Sequence, residues 1–327
     1  MAAHDATVTG LDALVPRIAV LIPCYNEAQA IGQVVADFLA ALPTATVYVY
    51  DNNSTDGTRD VARAAGAVVR TETLQGKGNV VRRMFADIEA EVYVLVDGDG
   101  TYDAASASKM VELLLANSLD VVNAARVPVT QDAFRPGHVL GNKLLTGSVA
   151  MIFGSRIRDM LSGYRAFSRR FVKSFPALAT GFETETELTV HGLELRLPMA
   201  EIQTPYRDRP RGSASKLHTF RDGFRILRTI VLLVKEERPL PFFMTIAAVL
   251  AVTGLALGWP LVTHYLETGL VPRLPTAVLA TGAVILSFVS FVAALILDTV
   301  TLARREIKRL HYLGLRGPTF SERRRVP

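Results

Sequence analysis

Ile18-Ala19-Val20-Leu21-Ile22-Pro23-Cys24-Tyr25-Asn26-Glu27 runs five apolar residues into a proline and then turns polar. A continuous apolar run stopped by Pro reads as a strand buried on both faces, as parallel sheets require. Asn26 is placed to cap a helix whose Ile31, Val34, Val35, Phe38 and Leu42 share one face. Val47–Tyr50 reads as a second strand, Asp51–Thr58 as a turn-rich stretch, and the helix after it ends at Gly66. Val68–Val69 gives a short third strand, Gly76–Gly78 opens another helix, and Val92–Val96 is a fourth strand ending at Asp97. Repeated strand–helix units predict an α/β, Rossmann-like domain. Its parallel sheet carries helices on both faces and ligands at the carboxyl ends of the strands.

Those strand ends carry the chemistry. Asp97-Gly98-Asp99 sets two carboxylates one residue apart, able to reach a single hard cation that takes oxygen ligands and bridges phosphates. Gly98 lets the backbone approach a ligand closely. Alone, such a stretch is more often just a turn. The other strand ends change the reading: Pro23 to Glu27 follow the first strand, Asp51 to Gly57 the second, and Gln75-Gly76-Lys77-Gly78 the third. Asp51 suits the hydrogen bonds of a base or ribose, and Lys77 at a helix N-terminus suits a diphosphate. Tyr102-Asp103 reads as a turn.

The other end of the chain is of different composition. No charged residue occurs from Pro239 to Thr263 or from Thr276 to Leu297. Each run is long enough to cross a hydrocarbon core of about 30 Å. Two adjacent runs of that length are rare as buried helices of a soluble protein. Past the second run stand Arg304, Arg305, Lys308, Arg309, Arg316, Arg323, Arg324 and Arg325, against Glu306 and Glu322. The formal net charge of +5 therefore sits in the tail, which argues against the spread-out footprint of a nucleic-acid binder. Lys235 and Arg238 before the first run, with this cluster after the second, follow the positive-inside rule and predict cytosolic flanks. Asp298 near the end of the second run is expected to snorkel toward Arg304 or Arg305. The lone Cys24 excludes an internal disulfide and suits a reducing compartment. Met1–Val15 lacks an apolar core of signal-peptide type, so the C-terminal hairpin is expected to deliver the chain to the membrane. Before it, Leu217, Phe220, Phe224, Leu227, Val231 and Val234 recur every three or four residues, with Arg221, Arg225 and Arg228 off that stripe. This pattern predicts an amphipathic helix in the headgroup layer.

In order and spacing, Ile22-Pro23-Cys24-Tyr25-Asn26-Glu27, Asp51 to Thr58 and Asp97-Gly98-Asp99 resemble the family 2 glycosyltransferases of GT-A fold, over about residues 17–235. The resemblance implies a nucleotide-sugar donor, with Pro23, Tyr25, Asn26, Glu27 and Asp51 around the nucleoside and Lys77, Gly78 and Gly98 beside the diphosphate. It also implies Mg²⁺ or Mn²⁺ on Asp97 and Asp99. Ser162-Gly163-Tyr164-Arg165, Gly181-Phe182 with Glu183, Glu185 and Glu187, and Arg209, Gly212, Ser215 and Lys216 resemble the polyprenyl-phosphate, dolichol-phosphate mannose synthase-like branch. Thr101 departs from it, standing where close relatives often carry glutamine. That branch implies a polyprenyl-phosphate acceptor, a part in cell-envelope glycan assembly, and a homo-oligomer formed through the membrane helices. It also implies an inner-membrane, multi-pass chain with the catalytic domain and both termini cytosolic.

Acceptor chemistry agrees. A phosphate monoester, with a second pKa of about 6, is already an anion at neutral pH and needs no general base. Holding two anions together needs cations, and Arg126, Arg135, Arg209 and Lys216 are the candidates, with Ser162 and Arg165 beside the acceptor. A processive polysaccharide synthase would want several spans and a Gln-x-x-Arg-Trp element, yet the lone Trp259 lies in the first apolar run. A nucleotidyltransferase would want a glycine-rich loop where Pro23-Cys24-Tyr25 stand, and a non-catalytic scaffold would not need the aspartate pair. The expected organisation is a flexible N-terminus (1–16), a catalytic domain (17–212), a juxtamembrane helix (213–238), a transmembrane hairpin (239–302) and a basic cytosolic tail (303–327).

Overall fold

A computed structural model describes residues 16–128, 146–147, 157–181, 183–207, 228 and 231–318. The chain divides into two compact units, Met1–Asp222 with Arg309–Pro327, and Gly223–Lys308.

In the first unit the chain runs β1 (Ile18–Cys24), α1 (Ile31–Ala41), β2 (Thr46–Asp51), α2 (Thr58–Ala64), β3 (Val68–Thr71), α3 (Lys77–Asp87), β4 (Val92–Leu95) and α4 (Ser106–Ala116). It continues through β5 (Val121–Pro128), β6 (Arg165–Ser168), α5 (Arg169–Ser174), α6 (Thr184–Glu194) and β7 (Met199–Tyr206). The seven strands lie in the order β3-β2-β1-β4-β6-β5-β7. The first four are parallel, as expected. The sequence reading names no strand beyond Val96, so β5 is new. The structure adds β6, antiparallel to both β4 and β5, and β7, parallel to β5. The sheet is therefore mixed.

Side-chain alternation divides the core. Val20, Ile22, Val92 and Val94 pack with Phe38 of α1 and Met110 of α4 on one face. Ala19, Leu21, Tyr93 and Leu95 pack with Met84 and Phe85 of α3, Phe171 of α5 and Leu188 of α6 on the other. Burying one such side chain contributes roughly 1.5–3 kcal/mol, so slipping β1 by one residue would exchange its two apolar sets between faces. The Phe38 ring also meets Tyr164 edge-on at 5.8 Å.

Two local expectations change. Asn26 does not cap α1. The residue at the cap is Ala30, and the Glu27 carbonyl accepts from Ala30 and Ile31 in an intervening turn. Asn26 itself sits in the left-handed region (φ 54°), with its side chain turned to Thr55. Residues Pro205 and Tyr206, which no expected strand covers, belong to β7.

The second unit holds a helix over 231–237, α7 (Pro239–Thr268) and α8 (Leu274–Leu313), the last turn of α8 falling in the first unit. The apolar windows of α7 and α8 have mean hydropathies of 2.2 and 2.4 and are only 11% and 17% buried. Helices so apolar and so exposed are not a soluble core; they fit a transmembrane hairpin. A Cβ at Gly254 would stand 2.8 Å from Val284 Cγ2, and Ser287 Oγ donates to the Ala247 carbonyl at 2.8 Å. Small residues and a hydroxyl at a close crossing are what holds helices together in lipid. Arg304 and Arg305 bind the buried Glu237 at 2.9 and 3.1 Å rather than meeting Asp298, which stays exposed. The expected headgroup-layer helix lies mostly outside the described residues.

Candidate functional site

The ends of β1 and β2 are sewn together by side chain to backbone bonds. Asn26 N–H donates to Ser54 Oγ (2.8 Å), Glu27 N–H to Thr58 Oγ1 (2.9 Å) and Ala28 N–H to Asp56 Oδ2 (3.1 Å), while Thr55 N–H donates to Asn26 Oδ1 (2.8 Å). Asn52, 3% exposed, does the same for the loop after β3. Its amide donates to the carbonyls of Glu72 and Leu74 and its oxygen accepts from Gly76 N–H, all at 2.7–2.8 Å. Asp51 sits beneath. One oxygen accepts from Ser54 N–H at 3.2 Å and lies 3.4 Å from Arg59, and its buried Oδ1 has no hydrogen-bond partner among the described residues. Pro23 pairs in register with Tyr50, and Tyr25 stands exposed beyond it.

Asp97-Gly98-Asp99 closes on the same edge. A Cβ at Gly98 would come 2.5 Å from Cys24 Sγ, so this glycine makes room for β1 rather than for a ligand. The Cys24 thiol is pushed up, first by burial and then by Glu27, Asp51, Asp97 and Asp99. Carboxylates from three strand ends thus converge electrostatically on one buried atom. That is a poor place for a thiolate and a favourable one for a cation. Asp99 accepts from Thr101 N–H (3.2 Å) and Oγ1 (2.6 Å), so buried Thr101 orients the carboxylate. The Lys77 ammonium binds both Asp97 and Glu185. Burial alone would lower its pKa, and the two carboxylates outweigh that, raising it. Gly78 departs from its expected place on the donor. Its N–H donates to the Thr180 carbonyl at 3.2 Å, and a Cβ there would collide with Ala179.

On the opposite side of Asp97 the sequence reading missed most of the site. Tyr102, read as part of a turn, is buried: its ring lies 5.3 Å from Tyr206, and its hydroxyl accepts from Gly163 N–H at 2.8 Å. Arg126 forks onto Asp159 at 2.7 and 2.8 Å and stacks over Tyr206 at 5.4 Å. Ser162 and Arg165, expected to touch an acceptor, are 0% and 1% exposed. Ser162 Oγ donates to the Ala124 carbonyl (2.6 Å), and Arg165 donates to the Ser162 carbonyl (3.0 Å), the Met160 carbonyl (2.6 Å) and Thr189 Oγ1 (2.8 Å). Both build the turn rather than face a substrate. The three glutamates also part: Glu187 accepts from Leu178 and Ala179 N–H at 2.8 Å, whereas Glu185 faces Lys77. Neither Asp159 nor Tyr206 carries a local sequence signal; pairing of β5 with β7 brings in Tyr206, and pairing of β5 with β6 brings in the turn that holds Asp159. Arg135, Arg209, Ser215 and Lys216 lie outside the described residues.

The donor set fits a hard divalent ion. Asp97 and Asp99 offer carboxylate oxygens in a negative pocket, and among the described residues no three His, Cys, Asp or Glu side chains form a closed cage. An ion held here would complete its shell with substrate oxygens and water, as Mg²⁺ and Mn²⁺ do.

Similarity to known proteins identifies the family. Residues 19–175 match the family described as Glycosyl transferase family 2. Glycosyltransferase AglJ of Haloferax volcanii is 35% identical over 241 residues, covering 73% of this chain and 79% of that protein. A dolichyl-phosphate hexose transferase of the same organism is 29% identical over 222 residues, 68% of this chain and 95% of its own. Among solved structures, glucosyl-3-phosphoglycerate synthase from Mycobacterium tuberculosis, in complex with Mn²⁺, UDP and glucosyl-3-phosphoglycerate, shares the fold with a TM-score of 0.54 and 23% identity, over 67% of this chain and 79% of that one.

Proposed function

The chain belongs to glycosyl transferase family 2, with a mixed sheet of GT-A type, and we propose that it transfers a sugar from a UDP- or GDP-linked donor to a polyprenyl phosphate at the cytosolic face of a membrane. The products are a polyprenyl-phosphate-linked monosaccharide and a nucleoside diphosphate. The observation that carries this reading is the convergence of Glu27, Asp51, Asp97 and Asp99 on one sheet edge, in a chain that also carries two apolar helices of spanning length. The relative named dolichyl-phosphate hexose transferase supports the acceptor class.

In this reading the nucleoside lies over the ends of β1 and β2, and the buried Asp51 Oδ1 beneath them is the acceptor that a base N–H would have to reach. Asp97 and Asp99 would hold Mg²⁺ or Mn²⁺. That ion would neutralise charge on the departing diphosphate. The acceptor phosphate oxygen attacks the anomeric carbon from the side opposite the leaving group, forming a C–O bond as the sugar–diphosphate bond breaks and inverting the configuration. No proton has to be removed, because the nucleophile is already an anion. Arg135, Arg209 and Lys216 are the cations assigned to the acceptor phosphate. Arg126 is held on Asp159 near the C-terminal end of β5.

The test is incubation of the purified chain with Mn²⁺ or Mg²⁺, a short polyprenyl phosphate and a panel of nucleotide sugars, followed by mass spectrometry of the lipid fraction. One donor should give a lipid heavier by a hexosyl group. Turnover of donors only onto water or free sugars would sink the lipid-phosphate assignment.

A further inference from the structure

Lys77 occupies an unusual place for a cation. It is the first residue of α3, at the positive end of that helix, where a positive side chain is disfavoured. It is also buried, with 11% of its side chain exposed. Two carboxylates hold it there, Asp97 and Glu185. Glu185 comes from the first turn of α6, the end of a helix that favours an acid. Its helix is tied in turn to the Ser162–Arg165 turn, since Thr189 Oγ1 donates to the Glu185 carbonyl (3.0 Å) and accepts from Arg165 (2.8 Å).

That same turn sets the other side of Asp97. Lys77 binds Asp97 Oδ1, while Asp97 Oδ2 lies over Gly163, where any Cβ would collide with it. Gly163 is fixed by its N–H bond to Tyr102 Oη, at 2.8 Å. One oxygen of Asp97 is thus clamped, and the missing Cβ of Gly163 leaves room beside the other. The carboxylate as a whole remains 29% exposed, whereas Glu185 is 8% exposed and faces the ammonium.

We propose that Glu185 is a positioning residue for the cation site: it fixes Lys77 on one oxygen of Asp97 and so presents the other oxygen to a divalent ion. This rests on the reading of Asp97 and Asp99 as the ion's carboxylates. With Glu185 in place the Lys77–Asp97–Glu185 group carries one net negative charge; with a neutral residue it carries none, and Lys77 is free to lean wholly on Asp97.

The experiment is direct Mn²⁺ binding to the full chain without substrates, read by electron paramagnetic resonance of free Mn²⁺, for the parent, Glu185→Gln, Glu185→Asp and Asp99→Ala. Thermal melts report folding of each variant. Glu185→Gln should weaken Mn²⁺ binding about tenfold, or ~1.4 kcal/mol, and raise the Mn²⁺ concentration needed for half-maximal activity. At saturating Mn²⁺ its kcat should return to within about threefold of the parent. Glu185→Asp should recover part of the loss, and it serves as the probe if the glutamine variant does not fold. Parent-like Mn²⁺ affinity in Glu185→Gln together with a lost kcat and a lost acidic limb of the pH profile would make Glu185 a general base and overturn the proposal. Parent-like affinity and kcat would overturn it as well. Asp99→Ala separates the two layers. If it binds Mn²⁺ like the parent, the cation site itself is misassigned; if it loses Mn²⁺ while Glu185→Gln does not, only the role of Glu185 fails.

Discussion

On the β1–β2 side of the sheet the loops are held by neutral groups and short acids reaching backbone amides and carbonyls, as Ser54, Thr58, Asn26 and Asn52 do. On the β6–β5–β7 side the loops are held by charges taken out of water. Arg126 is locked on Asp159, Arg165 is enclosed among carbonyls, and Asp120 is buried under Arg170, Ser168 and Tyr312. The two kinds of bond respond differently to loss. A neutral hydrogen bond near the surface contributes about 0.5–1.5 kcal/mol and water can replace part of it. A buried charge stripped of its partners costs several kcal/mol. Damage to stability should therefore concentrate in the second half, and damage to ligand binding in the first.

Arg165→Met is the largest test. The guanidinium is fully enclosed, and burial pushes its pKa down, yet it answers two carbonyls and a hydroxyl at once. Its loss leaves those oxygens buried and unmet, at about 1–3 kcal/mol each before relaxation. A net loss of about 3–5 kcal/mol is expected, which lowers the melting temperature by on the order of 10 °C. The matched change on the other side, Ser54→Ala, should cost about 1 kcal/mol. Equal melting temperatures for the two variants would break the comparison.

The same division decided what could be read in advance. In β1 and β4 the apolar residues are consecutive in sequence, and the strand ends follow them directly, so the rim from Pro23 to Asp99 was legible. The Arg126–Asp159 pair joins residues 33 positions apart, and Tyr206 reaches Tyr102 only because β7 lies beside β5 in the sheet. No local spacing encodes either contact. Ser162-Gly163-Tyr164-Arg165 was visible as a motif but misread in role, because an arginine in a polar turn looks solvent-facing until its burial is known. Gly78 and Gly98 erred in the opposite direction. Gly98 was expected to clear space for a ligand and Gly78 to lie beside the diphosphate, and instead they clear space for Cys24 and Ala179.

Asp159→Asn sharpens the contrast through pH. Burial by itself would raise the Asp159 pKa, and the hydrogen bonds and charge of Arg126 outweigh it, holding the carboxyl below the usual range. A depressed folded-state pKa gives stability that is fully present above the unfolded value of about 3.9 and is lost as pH falls through the folded value. The asparagine variant keeps the shape and one acceptor but leaves Arg126 buried beside a neutral group. It should lose about 2–3 kcal/mol at pH 7, and the gap to the parent should narrow below about pH 4. Denaturant melts at pH 7 and pH 3 measure it; a gap of constant size would remove the charge from the explanation.

Asn52→Ala should have a small effect on stability and a clear one on binding. Asn52 ties three backbone groups of residues 72–76 to the end of β2, immediately before Lys77. Much of that loop is exposed, so water can take over the freed carbonyls and the expected cost is only about 1 kcal/mol. The loop, however, delivers both the Gly76 turn (φ 130°) and the ammonium on Asp97. Loosening it should raise the donor KM about three- to tenfold, with kcat within about twofold and the melting temperature within a few degrees. Such a split marks lost uniform binding rather than lost transition-state contacts. Asn52→Asp keeps the acceptor for Gly76 N–H but sets a carboxylate oxygen against the Glu72 and Leu74 carbonyls, so it should do no better than alanine. If instead Asn52→Ala melted as early as Arg165→Met with an unchanged KM, the polar sewing of the first half would be structural too, and the distinction between the halves would rest on connectivity rather than on charge.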